Sequence, residues 1–257
     1  MLEKAIILAA GSGTRLSPLT DGAPKCLTLV NGTPILANAL EALFSAGVRE
    51  CTVVTGYMAQ AVERAIGEGY RGLKVRYILN ELYAQTNDMY SLLLARGALE
   101  EGALVIEGDV FFRGHLLSEA DEAMGSKNYY FAGLYDGRAN ELRIETDAER
   151  GVLSIDVLRG GRSGPRGRNV FFSAGFLVVQ RELGVRLSRW LSEFAGRGEV
   201  NVLFDDVLAA HIRESELFVY EISLRDWVEI DTLEDLVKAE EVFRRPDIRI
   251  RKTRDKP

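Results

Sequence analysis

Residues 4–15 read KAIILAAGSGTR, and this stretch decides the fold that the sequence predicts. The apolar run at 5–10 is typical of a strand buried on both faces of a parallel sheet. The glycines at 11 and 13 let the backbone turn tightly and expose its N–H groups where that strand ends. After this turn, amphipathic segments with helical spacing alternate with short apolar runs. The alternation predicts helices at 33–48, 58–69 and 87–102 and strands at 50–57, 73–80 and 103–112.

The order of these segments favours the α/β class. We predict a Rossmann-like, doubly wound, mainly parallel mixed sheet with helices on both faces. The second half of the chain adds strands joined by turns and a glycine- and arginine-rich loop at 159–169. Its predicted strands lie at 128–136, 140–158, 170–179 and 217–223, its helices at 182–196 and 204–215, and a short strand followed by a helix at 225–243.

Composition argues against several classes of function. With 32 basic and 38 acidic residues, the formal net charge is −6, which gives no support to nucleic-acid binding. The sequence has no apolar run long enough to cross a membrane and no signal-like segment, so we predict no membrane insertion. The two cysteines, Cys26 and Cys51, form neither a disulfide framework nor a zinc site, which favours a cytoplasmic location. His115 and His211 lack the spacing of metal ligands.

The glycine-containing loop fits neither common phosphate-binding pattern. A dinucleotide-binding loop would have a third glycine three positions after Gly13, and a Walker A loop would end in Gly-Lys-Ser or Gly-Lys-Thr. The chemistry still favours phosphate, because free N–H groups, the hydroxyls of Ser12 and Thr14 and the guanidinium of Arg15 all suit phosphate oxygens. On Gly-Ser-Gly alone, an ordinary turn with a surface arginine is the better interpretation.

A longer pattern, LAAGSGTRLSPLTDGAPKCL at 8–27, resembles the signature of the nucleotidyltransferase superfamily that includes the sugar-1-phosphate nucleotidyltransferases. That signature reads Leu-Ala-Ala-Gly-x-Gly-[Ser/Thr]-Arg, then Pro-x-Thr, then Pro-Lys. The matching residues are Leu8, Ala9, Ala10, Gly11, Gly13, Thr14, Arg15, Pro18, Thr20, Pro24 and Lys25. The resemblance implies a GT-A-like nucleotidyltransferase fold that binds the phosphates of an NTP on this loop.

The resemblance also implies roles for individual residues. Arg15 would hold the β- and γ-phosphates that leave as pyrophosphate. Lys25 would lie near the α-phosphate and the attacking oxygen. The other nucleotide-binding positions that the resemblance implies on the loop are Leu8, Ala10, Gly11, Ser12, Gly13 and Thr14.

Two acidic segments complete the predicted site. An anionic nucleophile that attacks an anionic phosphorus needs cations nearby, and Mg²⁺ takes carboxylate oxygens. The superfamily's metal-binding Gly-Asp pair maps to Gly108-Asp109, and the Glu-x-Asp form of its cytidylyltransferases maps to Glu229 and Asp231. We therefore predict Mg²⁺ as the cofactor, held by Asp109, Glu229 and Asp231. Alternatively, Asp109 is a turn residue and Asp231 or Thr232 caps the next helix. The acids interpreted instead as helix-start and surface residues are Asp205, Asp206 and Asp226.

The segment NELYAQTNDMYSLLLA at 80–95 resembles the phosphocholine and phosphonate cytidylyltransferase branch. That branch reads Asn-x-x-Tyr-Ala-x-x-Asn-Asn-x-Tyr-Ser-Leu, and this chain departs from the pattern at Asp88. The resemblance implies CTP, with Asn80, Asn87 and Ser91 at the base, since an amide offers a donor and an acceptor to a cytosine edge. The alternative is that Asn80 ends a strand and Asn87 caps a helix.

The acceptor is less determined. In this branch a tryptophan follows an Asn-Glu pair, whereas here Leu142 follows Asn140 and Glu141, which argues against choline. Glu141 suits a primary ammonium such as that of 2-aminoethylphosphonate, and the arginines of 159–168 suit the acceptor's phosphate or phosphonate. A sugar-1-phosphate or inositol-1-phosphate acceptor with UTP, dTTP or CTP stays open. A catalytically silent nucleotide-binding subunit is the alternative from another class.

Together these features predict one nucleotidyltransferase domain at 1–245, followed by a basic tail at 246–257. Its nucleotide-binding half would be 1–112 and its acceptor-binding half 113–245. The predicted reaction is the Mg²⁺-dependent transfer of CMP from CTP to a small phosphorylated or phosphonate alcohol or amine, with release of pyrophosphate. The sequence leaves open whether the chain forms a homodimer.

Overall fold

The computed structural model describes residues 3–137, 142–160 and 162–244. Its strands are β1 (Lys4–Ala9), β2 (Leu29–Val30), β3 (Thr33–Pro34), β4 (Glu50–Thr55), β5 (Gly69–Tyr70), β6 (Leu73–Leu79), β7 (Ala103–Glu107), β8 (Val110–Phe112), β9 (Asn128–Leu134), β10 (Leu142–Thr146), β11 (Val152–Val157), β12 (Val170–Val179), β13 (Leu217–Glu221) and β14 (Trp227–Glu229). Its helices are α1 (Ile35–Ser45), α2 (Ala59–Ile66), α3 (Asp88–Leu94), α4 (Arg96–Leu99), α5 (His115–Met124), α6 (Arg181–Gly196), α7 (Phe204–Ala210), α8 (Ile212–Ser215) and α9 (Leu233–Val242). Single 3₁₀ turns occupy Thr14–Leu16 and Lys25–Leu27.

A mixed sheet of ten strands forms the centre of the described part of the chain. Its strand order is β11-β10-β12-β7-β1-β4-β6-β5, and β9 pairs with both β12 and β13. The four strands β7, β1, β4 and β6 run parallel to one another. Strands β10, β11 and β12 add antiparallel pairs on the β7 side. This arrangement confirms the predicted α/β class with a mainly parallel, doubly wound first half.

The central strand β1 supplies side chains to two separate cores. Ala5, Ile7 and Ala9 pack in one apolar cluster with α1, whereas Ile6 and Leu8 pack in a second cluster with α3 and α6. Successive side chains of a strand point to opposite faces of the sheet, so both faces of β1 are buried. Helices therefore cover the sheet on both sides, as the continuous apolar run at 5–10 predicted.

The parallel strands all end at one edge of the sheet. In open α/β sheets this carboxyl edge is where ligands bind, because the loops that follow the strands meet there. The loop after β1, the turn after β6 and the acidic end of β7 are thus neighbours. These are three of the four segments in which the sequence placed the candidate site.

The predicted strand at 103–112 is wrong as a single element. Gly108 N donates a hydrogen bond of 2.9 Å to the carbonyl of Leu8, and a Cβ at Gly108 would lie 2.5 Å from that oxygen. The chain leaves the main sheet at this close contact. Strand β8 then pairs with β14 in a separate two-stranded sheet, and Ile230 N donates to Asp109 O at 3.0 Å. The two acidic segments therefore lie side by side.

Other element boundaries also differ from the prediction. Helix α5 was not predicted, and the predicted helices at 87–102 and 204–215 are each divided in two, at Ala95 and at His211. Over its described residues, the predicted loop at 159–169 contains no helix or strand. Helix interruptions of this kind depend on packing between α3, α4, α6 and α7, which a local pattern does not contain.

Several predictions concern the chain as a whole. The sheet takes strands from both halves, while the domain boundaries at 1–245 stay a prediction and the tail at 246–257 lies outside the described residues. Among the helices that the structure describes, none has the length and apolar character needed to span a membrane.

Cys26 and Cys51 are buried and free, and burial raises the pKa of the Cys26 thiol to about 12. Such a thiol is unreactive.

Asp205 starts α7, as predicted, but it is not a surface residue. Its side chain is almost fully buried and accepts a hydrogen bond of 2.6 Å from the hydroxyl of Tyr130. Burial raises the pKa of Asp205 from its ordinary 3.8 to about 7, although the bond from Tyr130 acts in the opposite direction. Asp206 and Asp226 are partly exposed, and they pair with Arg159 and Arg113.

We predict that Gly108→Ala lowers the free energy of unfolding by about 1–3 kcal/mol, because the added methyl group meets backbone atoms of β1. Denaturant unfolding measures the loss. Gly97→Ala in α4 is the matched control, because no atom lies within 4 Å of the added methyl group and alanine suits a helix better than glycine. Equal stability of the Gly108→Ala variant and the wild type would show that the contact does not constrain the fold.

Asp205→Asn is predicted to change how stability depends on pH. The folded state holds the Asp205 proton more tightly than the unfolded chain, so this stabilisation is full below about pH 4 and is lost as pH rises through about 7. The stability of Asp205→Asn relative to the wild type should therefore increase with pH across that window. Urea unfolding at several pH values tests this, with Glu234→Gln on exposed α9 as the control for losing one carboxylate. A difference that does not vary with pH would contradict the prediction.

Candidate active site

A cavity of about 300 Å³ lies at the carboxyl edge of the parallel strands. Its walls come from the loop after β1, the ends of β6 and β7, the first turn of α3 and the segment after β14. The predicted site residues that line it are Leu8, Ala10, Gly11, Gly13, Thr14, Arg15, Lys25, Asn80, Asn87, Ser91, Asp109 and Asp231. Ser12 and Glu229 are the two predicted residues outside its lining. The fold thus brings the predicted residues together, while their individual roles stay predictions.

The loop after β1 closes over the stem of Lys25. Gly13 has a left-handed backbone with φ of +66°, and a Cβ there would lie 2.8 Å from Cβ of Lys25. Thr20 Oγ1 donates to the carbonyl of Gly13 at 2.7 Å, and the fully buried Leu16 anchors the turn that follows. Both the positive φ and the close contact require glycine at position 13. The loop and Lys25 are therefore held as one unit.

The Lys25 ammonium bridges the two acidic segments. Its Nζ lies 2.6 Å from Asp109 Oδ2 and 2.6 Å from Asp231 Oδ1, while Arg15 Nη2 lies 2.8 Å from Asp231 Oδ2. The Lys25 side chain is only 13% exposed, whereas that of Arg15 is 69% exposed. Burial lowers the pKa of Lys25, but the carboxylates of Asp109 and Asp231 outweigh it and raise that pKa above its ordinary value. The lysine is therefore a buried cation.

Asp231 does not cap the helix that follows it, so its carboxylate can contact Lys25 and Arg15. Thr232 is the residue that caps α9, because its hydroxyl accepts from Asp235 N at 3.3 Å and Asp235 Oδ2 accepts from Thr232 N at 2.9 Å. The carboxylate of Asp231 is thus directed to Lys25 and Arg15 instead of the helix terminus. Of the two capping residues that the sequence allowed, the structure selects Thr232.

A second group of carboxylates overlaps the first at Asp109. One oxygen each from Glu107, Asp109 and Glu229 lies within 4.8 Å of the others. Asp109 Oδ1 is buried and has no hydrogen-bond partner among the described residues. A hard divalent cation takes oxygen ligands of this kind, so the residues fit such an ion. Burial, followed by the charges of Asp109 and Glu229, raises the pKa of Glu107 well above its ordinary range.

The metal prediction named Asp109, Glu229 and Asp231, whereas the structure groups Asp109 and Glu229 with Glu107. Glu107 was not predicted as a ligand, although its position two residues before Asp109 was a usable signal. The sequence alone does not show that β7 and β8 separate between these two acids. Asp231 lies on the other side of Asp109, at the Lys25 ammonium.

The segment after β6 forms a hydrogen-bonded turn at the far end of the cavity. Asn80 is buried, and its amide nitrogen donates to Thr86 Oγ1 and Ser91 Oγ, each at 3.1 Å. Its carbonyl oxygen accepts from Leu82 N at 3.0 Å. Asn87 caps α3 by accepting from the N–H of the next residue at 2.9 Å. The structural alternatives for Asn80 and Asn87 are therefore correct, although both residues also line the cavity.

Asp88, where the chain departs from the family pattern, also lines this cavity. Its carboxylate accepts from Phe204 N at 2.9 Å and so joins the first turns of α3 and α7. Burial, together with the nearby charge of Asp205, raises the pKa of Asp88 well above its ordinary range. Tyr83 and Thr86 are further lining residues that the sequence analysis did not single out.

The acceptor side is partly described. Asn140 and Glu141 lie outside the described residues, and Leu142 begins β10. Arg143 is buried and donates to Pro165 O at 3.3 Å, which ties the arginine-rich loop at 159–168 to the sheet. Within that loop Arg159 pairs with an acid of α7 at 2.6 Å, so this arginine has a structural partner.

A smaller cavity of about 100 Å³ shares Asp231 with the large one and was not predicted. Its lining residues are Phe172, Leu224, Trp227, Val228, Glu229, Asp231, Asp235 and Lys238. The rings of Phe172 and Trp227 are 5.2 Å apart. Aromatic faces with three carboxylates and one ammonium form a lining that suits a small cation.

Comparisons with known proteins agree with this geometry. A family model described as Nucleotidyl transferase matches residues 4–140. The chain is 28% identical over 239 residues to the 2-aminoethylphosphonate cytidylyltransferase of Lancefieldella rimae, covering 90% of this chain and 89% of that protein. It is 32% identical over 256 residues to the CMP-5'-(3-aminopropyl)phosphonate synthase of Streptomyces rubellomurinus, covering 95% of this chain but 39% of that longer protein.

Among solved structures, the CTP:phosphocholine cytidylyltransferase of Streptococcus pneumoniae superimposes with a TM-score of 0.76 at 27% identity. The match covers 93% of this chain and 98% of that one. The expected resemblance is thereby confirmed. The chain belongs to the nucleotidyl transferase family, as an enzyme related to its phosphonate and phosphocholine cytidylyltransferases.

Proposed function

We propose that the protein is a Mg²⁺-dependent cytidylyltransferase that transfers CMP from CTP to a small phosphonate or phosphate monoester with a cationic end. The observation that supports it most is the meeting of the loop cations, Lys25 and Arg15, with the carboxylates of Asp109 and Asp231 in one cavity. A phosphate-binding loop alone would support only the binding of a nucleotide. The added carboxylates at the same point support a reaction between anions.

In the proposed reaction an acceptor oxygen attacks the α-phosphorus of CTP in line. The new P–O bond forms as the bond from the α-phosphorus to the bridging oxygen breaks, and pyrophosphate leaves with that electron pair. Lys25 neutralises charge at the α-phosphate, and Arg15 binds the departing phosphates. Both cations lie in the lining of the cavity.

The carboxylates of Glu107, Asp109 and Glu229 are the residues that would hold a divalent ion, with Asp231 beside them. Such an ion supplies positive charge to phosphate oxygens, and Mg²⁺ is our proposal because it combines carboxylate and phosphate ligands. The chain itself contributes the fixed positions of these oxygens. Those positions depend on the pairing of β8 with β14.

The turn at 80–91 supports the choice of CTP. It matches the cytidylyltransferase pattern, and Asn80 holds Thr86 and Ser91 in place with its own amide. Because the donors and acceptor of Asn80 are satisfied within the turn, we assign this residue to shaping the base pocket. The small cavity beside Asp231 supports a cationic acceptor, since its lining is aromatic and mainly acidic. A neutral sugar offers no positive charge to those carboxylates.

The first test is a matrix of nucleotides and acceptors with pyrophosphate release as the readout. We expect release with CTP and 2-aminoethylphosphonate or a related amino-phosphonate, and much less with UTP, dTTP or ATP. Phosphocholine, inositol-1-phosphate and glucose-1-phosphate complete the acceptor panel. Release with UTP and a sugar phosphate would replace this proposal by the sugar-nucleotide alternative. Absence of release with every pair would favour a silent nucleotide-binding protein.

Lys25→Ala and Asp109→Ala are each predicted to lower turnover by roughly 10²–10³-fold, because each removes a charge that acts on the reacting phosphates. Steady-state kinetics with saturating CTP gives the effect. The control is Lys4→Ala at the opposite end of β1, where the lysine pairs with Glu101. Circular dichroism checks that each variant is folded. Near-normal turnover of either site variant would show that its assigned role is wrong.

A further inference from the structure

The Lys25 ammonium contacts two of the carboxylates at the candidate metal site. Asp109 and Asp231 each place one oxygen 2.6 Å from Lys25 Nζ, and Arg15 binds the second oxygen of Asp231. Two side-chain cations therefore neutralise these two carboxylates. The lysine is also well shielded from water, which strengthens its attraction to both acids.

This arrangement is incompatible with a divalent ion on the same oxygens. Mg²⁺ binds oxygen at about 2.0–2.1 Å and demands near-octahedral geometry, so it does not share a carboxylate oxygen with a contacting ammonium. The group of Glu107, Asp109 and Glu229 does not avoid the conflict, because Asp109 belongs to both groups. An ion on Asp109 Oδ1 would lie on the same carboxylate as the lysine and be repelled by it.

The nucleotide offers the lysine a second partner. The stem of Lys25 packs under Gly13 of the phosphate-binding loop, and the cavity is lined by that loop and by the ammonium together. A four-carbon stem with several rotatable bonds can redirect its ammonium without moving the backbone. A triphosphate on the loop would therefore attract Lys25 and Arg15 away from the two aspartates. Their carboxylates would then face the phosphates without counter-ions.

We propose that Lys25 couples metal loading to nucleotide binding: it blocks the metal carboxylates in the free enzyme and releases them when the triphosphate arrives. The metal ion would thus enter with, or after, the nucleotide, never stably before it. This inference rests on the proposed function, because that function places a triphosphate on the loop. It gives Lys25 a positioning role in addition to its role at the α-phosphate.

Mn²⁺ binding to the nucleotide-free protein tests the inference without turnover. Electron paramagnetic resonance of free Mn²⁺ measures the affinity of the wild type, Lys25→Met, Lys25→Arg and Lys4→Met. We expect Lys25→Met to bind Mn²⁺ at least about tenfold more tightly than the wild type, because a competing charge is gone. Lys25→Arg should bind as weakly as the wild type. Lys4→Met loses the same charge at a distant ion pair with Glu101 and should not gain affinity.

A second measurement guards against misfolding of the methionine variant. Mn²⁺ should raise the melting temperature of Lys25→Met by more than that of the wild type, because the variant lacks the ammonium that contacts Asp109 and Asp231. Adding a CTP analogue with a methylene bridge between the α- and β-phosphates should bring the wild type to tight Mn²⁺ binding.

Equal Mn²⁺ affinity of Lys25→Met and the nucleotide-free wild type would overturn the inference, as would tight binding by the wild type without nucleotide. The outcome is separable from the proposed function. Pyrophosphate release by a wild type that fails these Mn²⁺ tests would leave the function standing and remove the coupling. A gain of Mn²⁺ affinity in Lys25→Met, with no pyrophosphate release from any NTP, would support the block by Lys25 and remove the proposed function.

Discussion

The close contact between Gly108 and the carbonyl of Leu8 is the constraint on which the candidate site depends. A side chain at position 108 would collide with the backbone of β1, so the chain turns out of the main sheet at this point. The turn frees β8 to pair with β14, which joins two acidic segments that are far apart in sequence. It also places Asp109 beside the loop of β1, where Lys25 reaches it. One steric requirement thus aligns the phosphate loop with both acidic segments.

The basic side chains of the site explain why this region suits anionic ligands although it is rich in acidic residues. Lys25 and Arg15 offset Asp109 and Asp231, while Glu107 and Glu229 lie nearby, and burial raises the pKa of Glu107. Because oxygens of Glu107, Asp109 and Glu229 lie close together, a further cation among them would be stabilising. The acidic groups of the site can thus be neutralised by Lys25 and Arg15 or by a bound metal ion. Binding of a triphosphate changes that balance because it competes for the same lysine and arginine.

Much of the fold was predictable because burial on both faces leaves a simple sequence pattern. The apolar run at 5–10 indicates a central parallel strand, and its alternating contacts with two cores follow from that. The loop signature identified Arg15 and Lys25 because fixed spacing reflects fixed backbone geometry. The burial of Asp205 was not predictable, since its partner, Tyr130, lies 75 positions away. The position of Glu107 two residues before Asp109 was a signal, but its grouping with Glu229 requires a sheet pairing that no local pattern contains.

The residues that match a family signature have different structural roles. Gly13 and Thr20 shape the loop by positive φ and by a hydrogen bond, and Asn80 uses its amide to hold a turn. Lys25 contacts both acidic segments through its ammonium. A signature match therefore identifies the reaction class, whereas the contacts separate residues that shape the loop and the turn from a residue that carries its charge into the cavity. In the proposed mechanism, the carboxylates of Asp109 and Asp231 therefore compete with the nucleotide for the ammonium of Lys25.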